Sequence, residues 1–198
     1  MTPRIGAIVL AGGRSSRFGR DKLAEPIDGR PLLQHAIRAV QAVATDVVVV
    51  AGPDDSPALP EGVVLAHDLR AFEGPLAGLA AGLAAVDPAV DRVVVVAGDM
   101  PSLEPAVLRR LAEALEPSID IALLEAGGEP VPVPMAVRRD SALRATQQLL
   151  VGGERRLRAL AGVLHPSVIA EGIWRLDDPD GATLRDIDTQ GDLPARVE

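Results

Sequence analysis

The residues Leu10-Ala11-Gly12-Gly13-Arg14-Ser15-Ser16-Arg17-Phe18-Gly19-Arg20-Asp21-Lys22 carry the densest chemistry in the chain. They follow directly on the apolar run Ile5 to Ala11, which reads as a buried strand. Glycines in that position let the backbone approach a ligand closely while exposed N–H groups converge on an anion. Arg14, Arg17, Arg20 and Lys22 add four cations within nine residues of a chain that has 28 acidic and 20 basic residues and a net charge of −8. That local excess of positive charge calls for a compensating anion, and phosphate suits it. Lys22 is the one lysine among the 20 basic residues. Its compact ammonium can follow a phosphate oxygen as charge builds, which the planar arginine fork does less well. The spacing differs from a Walker A loop, because the last glycine stands three residues before the lysine, and it differs from the dinucleotide fingerprint as well.

Carboxylates follow the other apolar runs. Asp68 comes after Val63 to Ala66, Asp99 after Val93 to Ala97 and Gly98, and Asp186 and Asp188 flank Ile187 near the C-terminus. Ligands of an open α/β sheet bind beyond the carboxyl ends of its strands, so these aspartates are expected to converge with Gly12 on one edge. Magnesium takes one or two carboxylates together with phosphate oxygens and waters, so few protein ligands suffice there. A second cationic segment, Gly152-Gly153-Glu154-Arg155-Arg156-Leu157, opens a helical pattern carrying Leu157, Leu160 and Leu164. Cations in a first turn oppose the helix dipole, and a bound anion reverses that cost. His35, His67 and His165 have no partner at metal-ligand spacing and read as packing or surface residues. Trp174 reads as a core or edge residue.

Strands are expected at Ile5 to Ala11, Val47 to Ala51, Val63 to Ala66, Val93 to Ala97, Ile119 to Leu124 and Met135 to Val137. Most are continuously apolar, as in a largely parallel sheet covered on both faces. Helical periodicity lies between them. It runs from Leu33 to Val43 after Pro31, from Val107 to Leu115 with Ser102 as N-cap and Pro105 in the first turn, from Leu143 to Val151, and from Leu157 to Leu164. Glu125 to Pro134 is expected to lead into an edge strand, where prolines are tolerated. The alternation implies a three-layer α/β/α architecture with a mostly parallel sheet, built as one domain over residues 1–198. Hydrophobic residues make up 47%, enough for a substantial core. Zero cysteines exclude disulfides, thiolate metal sites and a cysteine nucleophile. The acidic balance argues against nucleic acid or membrane as partners. The N-terminus lacks the pattern of a signal peptide, and the longest apolar stretch, Leu76 to Val86, is about half of a roughly 20-residue span, so a cytoplasmic protein is expected. A monomer is the expected state.

The first loop resembles the signature of the molybdenum cofactor guanylyltransferases and related nucleotidyltransferases: Leu-Ala-Gly-Gly, a short variable stretch, Arg, an apolar residue, Gly, then Asp-Lys. Phe18 stands where methionine is usual. Gly98-Asp99-Met100-Pro101, Gly74-Pro75-Leu76-Ala77-Gly78, Gly152-Gly153-Glu154-Arg155-Arg156 and Asp186-Ile187-Asp188-Thr189 are similar to four further blocks of that family, with Gln190 in place of a terminal proline. The resemblance implies a Rossmann-like nucleotidyltransferase fold, GTP and molybdopterin as substrates and Mg2+ as cofactor. It implies that Leu10, Ala11, Gly12, Gly13 and Lys22 hold the triphosphate, Asp68 the nucleoside, and Asp99 the metal, with Lys22 and Asp99 catalytic. Arg17, Arg155, Asp186 and Asp188 fall on the acceptor side, and Asp186 or Asp188 could complete the metal site. Val50 replaces an asparagine common in guanylyltransferases, and the paired aspartates are more usual in relatives that use CTP. A cytidylyltransferase, another small-molecule nucleotidyltransferase of the same fold and a non-catalytic nucleotide-binding module are therefore the alternatives.

Overall fold

The computed structural model describes residues 4–12, 21–68 and 74–192. In chain order the elements are β1 (Ile5–Leu10), the short strands β2 (Pro26–Ile27) and β3 (Arg30–Pro31), α1 (Leu32–Gln41), β4 (Asp46–Ala51), β5 (Val63–His67), α2 (Pro75–Ala85), β6 (Arg92–Ala97), α3 (Pro105–Glu113), β7 (Ile121–Ala126), β8 (Glu129–Arg138), α4 (Arg139–Val151), β9 (Pro166–Ile169) and α5 (Glu171–Trp174). The main sheet has the order β5-β4-β1-β6-β8-β7-β9. β5, β4, β1 and β6 run parallel, β8 is antiparallel to both β6 and β7, and β9 is parallel to β7. β2 and β3 form a separate hairpin whose Asp28-Gly29 turn has positive φ at both residues, as a two-residue hairpin loop demands.

The apolar runs are continuous because both faces of the sheet are covered. Ala7, Val9, Val47, Val49, Val94 and Val96 face α1, α3 and the buried Trp174. Ile8, Val48, Val50, Val93 and Val95 face α2, α4 and Leu157. The mostly parallel three-layer arrangement is the one expected. Trp174 donates its indole N–H to Glu125 O at 2.8 Å.

Gly82 lets α2 lie close on the sheet. A Cβ there would stand 2.8 Å from Ile8 Cγ2 and 3.0 Å from Val50 Cγ2. Gly82→Ala gains roughly 1 kcal/mol of helix propensity but forces strain of about 1 to 3 kcal/mol into a filled interface. The expected net result is a lower thermal denaturation midpoint; a higher one would show that Ile8 and Val50 give way at little cost.

Three local expectations are corrected. β8 is an interior strand, not an edge. Its prolines are tolerated because β6 pairs only with Met135 to Arg138, while the segment from Glu129 to Val131 pairs with β7 alone. The N-cap of α3 is Glu104 instead of Ser102, with no side-chain cap bond of its own. The Glu104 N–H donates to Thr183 Oγ1 at 3.0 Å, so a distant residue does the work of a cap. The pattern at Leu157 to Leu164 is a 3-10 helix over Leu157–Gly162.

Thr183 is fully buried, and the buried Asp178 carboxylate holds its segment by accepting from Ala182 N at 3.0 Å and Thr183 N at 2.7 Å. Burial pushes the Asp178 carboxyl up, but the N–H and hydroxyl donors of this turn outweigh it and hold the group below its ordinary value of 3.8. A depressed folded-state pKa means that this stabilisation is present above the unfolded value and is lost as pH falls through the folded one. Asp178→Ala is expected to cost about 1 to 2 kcal/mol, as loss of a capping carboxylate does. The wild type should lose stability more steeply than the variant in acid denaturation below about pH 4; parallel acid limbs would remove Asp178 from the account.

Candidate active site

The chain leaves β1 to one side for β4 and β5, then crosses by α2 to β6 on the other side. The crevice beyond the carboxyl ends of β1 and β6 is thus the topological switch point, where open α/β sheets receive their ligands. Gly98 N donates to Leu10 O at 2.9 Å and Ala11 N to Val50 O at 2.8 Å, so three strand ends finish flush with one another. A cleft of about 640 Å³ opens there. Its floor is Leu10, Ala11, Gly12 and Ala97. Lys22, Leu23 and Asp99 line it, as do Pro132, Val133, Arg156, Leu157 and Arg158.

Asp21 accepts from Leu23 N at 3.0 Å and so caps the 3-10 turn Lys22–Ala24. This turn brings Lys22 over the end of β6. The Lys22 ammonium donates to Asp99 Oδ2 at 2.7 Å, Ile187 O at 3.1 Å and Asp188 Oδ1 at 3.3 Å. Burial lowers its pKa, but the hydrogen bonds and charges of Asp99 and Asp188 outweigh that and hold it above the ordinary lysine value. Ile187 is buried against Ile27 and Leu32, and its N–H donates to Asp99 O at 3.0 Å. The C-terminal segment is thereby pinned at the cleft. Asp186 has its carboxyl pushed up, first by burial and then by the negative charges of Asp188 and Asp99. Thr189 and Asp188 donate their N–H groups to Asp192 at 2.7 and 3.1 Å, and Thr189 adds its hydroxyl at 2.9 Å, so the Asp192 carboxylate, not the Thr189 side chain, is the acceptor that closes this turn.

Among the described residues, no three His, Cys, Asp or Glu side chains come together as a metal-ligand set. Oxygens of Asp99 and Asp188 nevertheless converge on a single cation, the Lys22 ammonium. An all-oxygen pair of this kind fits a magnesium-type ion that keeps most of its shell for phosphate and water, and does not fit an ion that needs a complete protein cage.

Asp68 lies just past β5 on the same edge, its N–H donating to Ala51 O at 3.0 Å. It stands on the β4 side of the switch point, away from β8. Gly13, Arg14, Arg17, Arg20 and Phe18 lie outside the described residues.

The second cationic segment borders the cleft through Arg156 and Arg158, with Arg155 set behind them. Arg155 donates from Nη1 to Leu150 O at 3.2 Å and Glu154 O at 2.9 Å, and its own carbonyl accepts from Leu76 N at 3.2 Å. Gly74 permits that contact. Its φ is +91° and a Cβ on it would lie 2.9 Å from Arg155 O. Arg155 therefore joins α4, α2 and the cleft rim, while Arg156 and Arg158 line the cleft. Arg156 forms a two-bond pair with Glu154, at 2.9 and 3.0 Å. That pair and the N–H groups of Arg155 and Arg156 lower the Glu154 pKa to about 2. Arg158 was missed from sequence. The available signal was the alternation of Arg156 and Arg158 about the buried Leu157. The three histidines serve packing and turns: His35 Nε2 bonds Ile27 O, His67 Nδ1 bonds Gly52 O, and His165 pairs with Asp120.

The switch-point cleft of this Rossmann-like sheet thus sets a lysine and an aspartate over glycine-bearing strand ends, where a phosphate-bearing ligand is received. The sequence profile of the MobA-like NTP transferase domain matches residues 7–167. The molybdenum cofactor guanylyltransferase of Desulfosudis oleivorans is 33% identical over 193 residues, covering 96% of this chain and 92% of its own. The crystal structure of molybdopterin-guanine dinucleotide biosynthesis protein A from Archaeoglobus fulgidus superposes with a TM-score of 0.77 at 21% identity, covering 94% of each chain. A Mycobacterium tuberculosis protein crystallised with manganese superposes with a TM-score of 0.62 at 20% identity, covering 84% of this chain and 88% of that one. The chain belongs to the MobA-like NTP transferases. Among the described residues no helix is long and apolar enough to cross a membrane.

Proposed function

We propose that this protein transfers GMP from GTP to molybdopterin. A terminal phosphate oxygen of molybdopterin attacks the α-phosphorus of GTP, the bond from that phosphorus to the bridging oxygen breaks, and pyrophosphate leaves as the guanine dinucleotide form of the cofactor is made. The observation that carries this reading is the 2.7 Å approach of Lys22 Nζ to Asp99 Oδ2 beside Gly12 at the switch point. Phosphoryl chemistry of this kind asks a protein mainly to position its reactants and to stabilise charge, and no protein nucleophile is needed. Gly12, Gly13 and the backbone of Leu10 and Ala11 cradle the triphosphate. Asp68 takes the nucleoside, extending over the ends of β4 and β5. Lys22 neutralises charge as it develops on the phosphates. Asp99 would hold magnesium, with Asp188 as the second carboxylate facing the same point, and the ion so held would supply positive charge at the α-phosphate and the leaving pyrophosphate. The acceptor enters from the β8 side, toward Asp186 and the rim that Arg155 braces, with Arg17 as a further acceptor contact.

The test is pyrophosphate release from the four nucleoside triphosphates in turn, with purified molybdopterin and magnesium. Release with GTP, abolished by a chelator, is expected. Release with CTP in place of GTP would make the protein a cytidylyltransferase. Tight magnesium-dependent GTP binding with no release in the presence of acceptor would make it a binding module.

A further inference from the structure

Resting on the guanylyl-transfer reading, we propose that Arg158 binds the phosphate monoester of the acceptor. Arg155, Arg156 and Arg158 lie in the segment that borders the cleft, and their surroundings separate them. Arg155 is spent on the carbonyls of Leu150 and Glu154. Arg156 is matched by the Glu154 carboxylate through two hydrogen bonds. Arg158 lines the cleft and has no hydrogen bond or ion pair among the described residues. In a chain of net charge −8, an unmatched guanidinium turned into a cleft leaves a local positive site that an anion fills. Its planar fork suits two oxygens of one phosphate group.

Position decides which phosphate. Arg158 lines the cleft with Pro132, Val133 and Leu157, in a turn that packs on β8 and in the α2 and α4 layer, whereas Leu23, next to Lys22, packs in the α1 and α3 layer. The nucleoside side of the switch point lies the other way, over β4 and β5, where Asp68 sits. A ligand entering beside Arg158 therefore meets an apolar wall suited to a flat ring system and a cation suited to its phosphate. It approaches Lys22 and Asp99 from the face opposite the nucleoside. Arg158 lies beyond the Gly-Glu-Arg-Arg block, held in place by Leu157, which is buried in the α2 and α4 layer.

The experiment is steady-state kinetics of Arg158→Ala and Arg158→Lys with molybdopterin varied at saturating magnesium GTP, then with GTP varied at saturating molybdopterin. Loss of one charge-assisted contact should raise the KM for molybdopterin roughly 10- to 100-fold in the alanine variant. The KM for GTP should stay unchanged, and lysine should recover part of the loss. An unchanged molybdopterin KM in an active alanine variant overturns the assignment and leaves the guanylyl-transfer reading standing. A raised GTP KM in its place moves Arg158 to the triphosphate and also overturns it. Failure of the wild type itself to release pyrophosphate from GTP with molybdopterin defeats the reaction first and this assignment with it.

Discussion

Lys22→Ala should lower the rate of pyrophosphate release on the order of 10²- to 10³-fold, the loss that follows removal of one preorganised charge-stabilising donor. The ammonium is already placed, 2.7 Å from Asp99 and 3.3 Å from Asp188, and its raised pKa keeps it charged throughout the neutral range. Rate should therefore show no titration of Lys22 around neutrality. Lys22→Arg keeps the charge but replaces a compact donor with a planar fork that must fit between Asp99, Asp188 and Ile187 O. It should recover only a small part of the rate. The fold should tolerate both changes, because the turn Lys22–Ala24 is capped by Asp21 and its place is held by Leu23, whose side chain packs near Ile27 and Leu32. Single-turnover kinetics on protein with an unaltered melting midpoint checks this; near-normal turnover of Lys22→Ala would remove the residue from the mechanism.

The meeting of Lys22 and Asp99 was legible because two simple rules intersect. The runs ending at Leu10 and Ala97 are continuously apolar, so they read as buried strands of a parallel sheet, and polar residues just past such strands share one edge. What remained hidden depends on approach in three dimensions. β9 contributes only Pro166–Ile169 and begins with proline, so nothing local marks it as a strand; it exists because β7 offers a free edge. Thr183 caps α3 from 79 residues away, which no window around Ser102 can reveal. β8 carries three prolines and reads as an edge, yet it is interior, because the prolines fall past the end of β6. The Gly-Glu-Arg-Arg block alone points to Arg155 as the anion contact. Its guanidinium instead reaches back to Leu150 O, and Leu157 turns its neighbours Arg156 and Arg158 to the cleft.

Asp99→Asn is expected to reduce turnover at least as far as loss of Lys22, because one carboxylate serves two cations. It is the partner of the ammonium, and it is the residue that holds magnesium in the proposed reaction. An amide keeps the size and the backbone, including the carbonyl that accepts from Ile187 N at 3.0 Å, so the C-terminal segment should stay in place. It removes the charge that holds the ion, and the magnesium concentration giving half-maximal rate should rise. That shift separates the two roles. A residue that acted only by orienting Lys22 would lower the rate without moving the magnesium dependence. The double variant sharpens the distinction: if Lys22 and Asp99 act as one unit, combining Lys22→Ala with Asp99→Asn costs little more than the worse single change. Multiplicative losses would instead mean that the 2.7 Å contact belongs to the resting protein alone, and that the two side chains part when the nucleotide arrives.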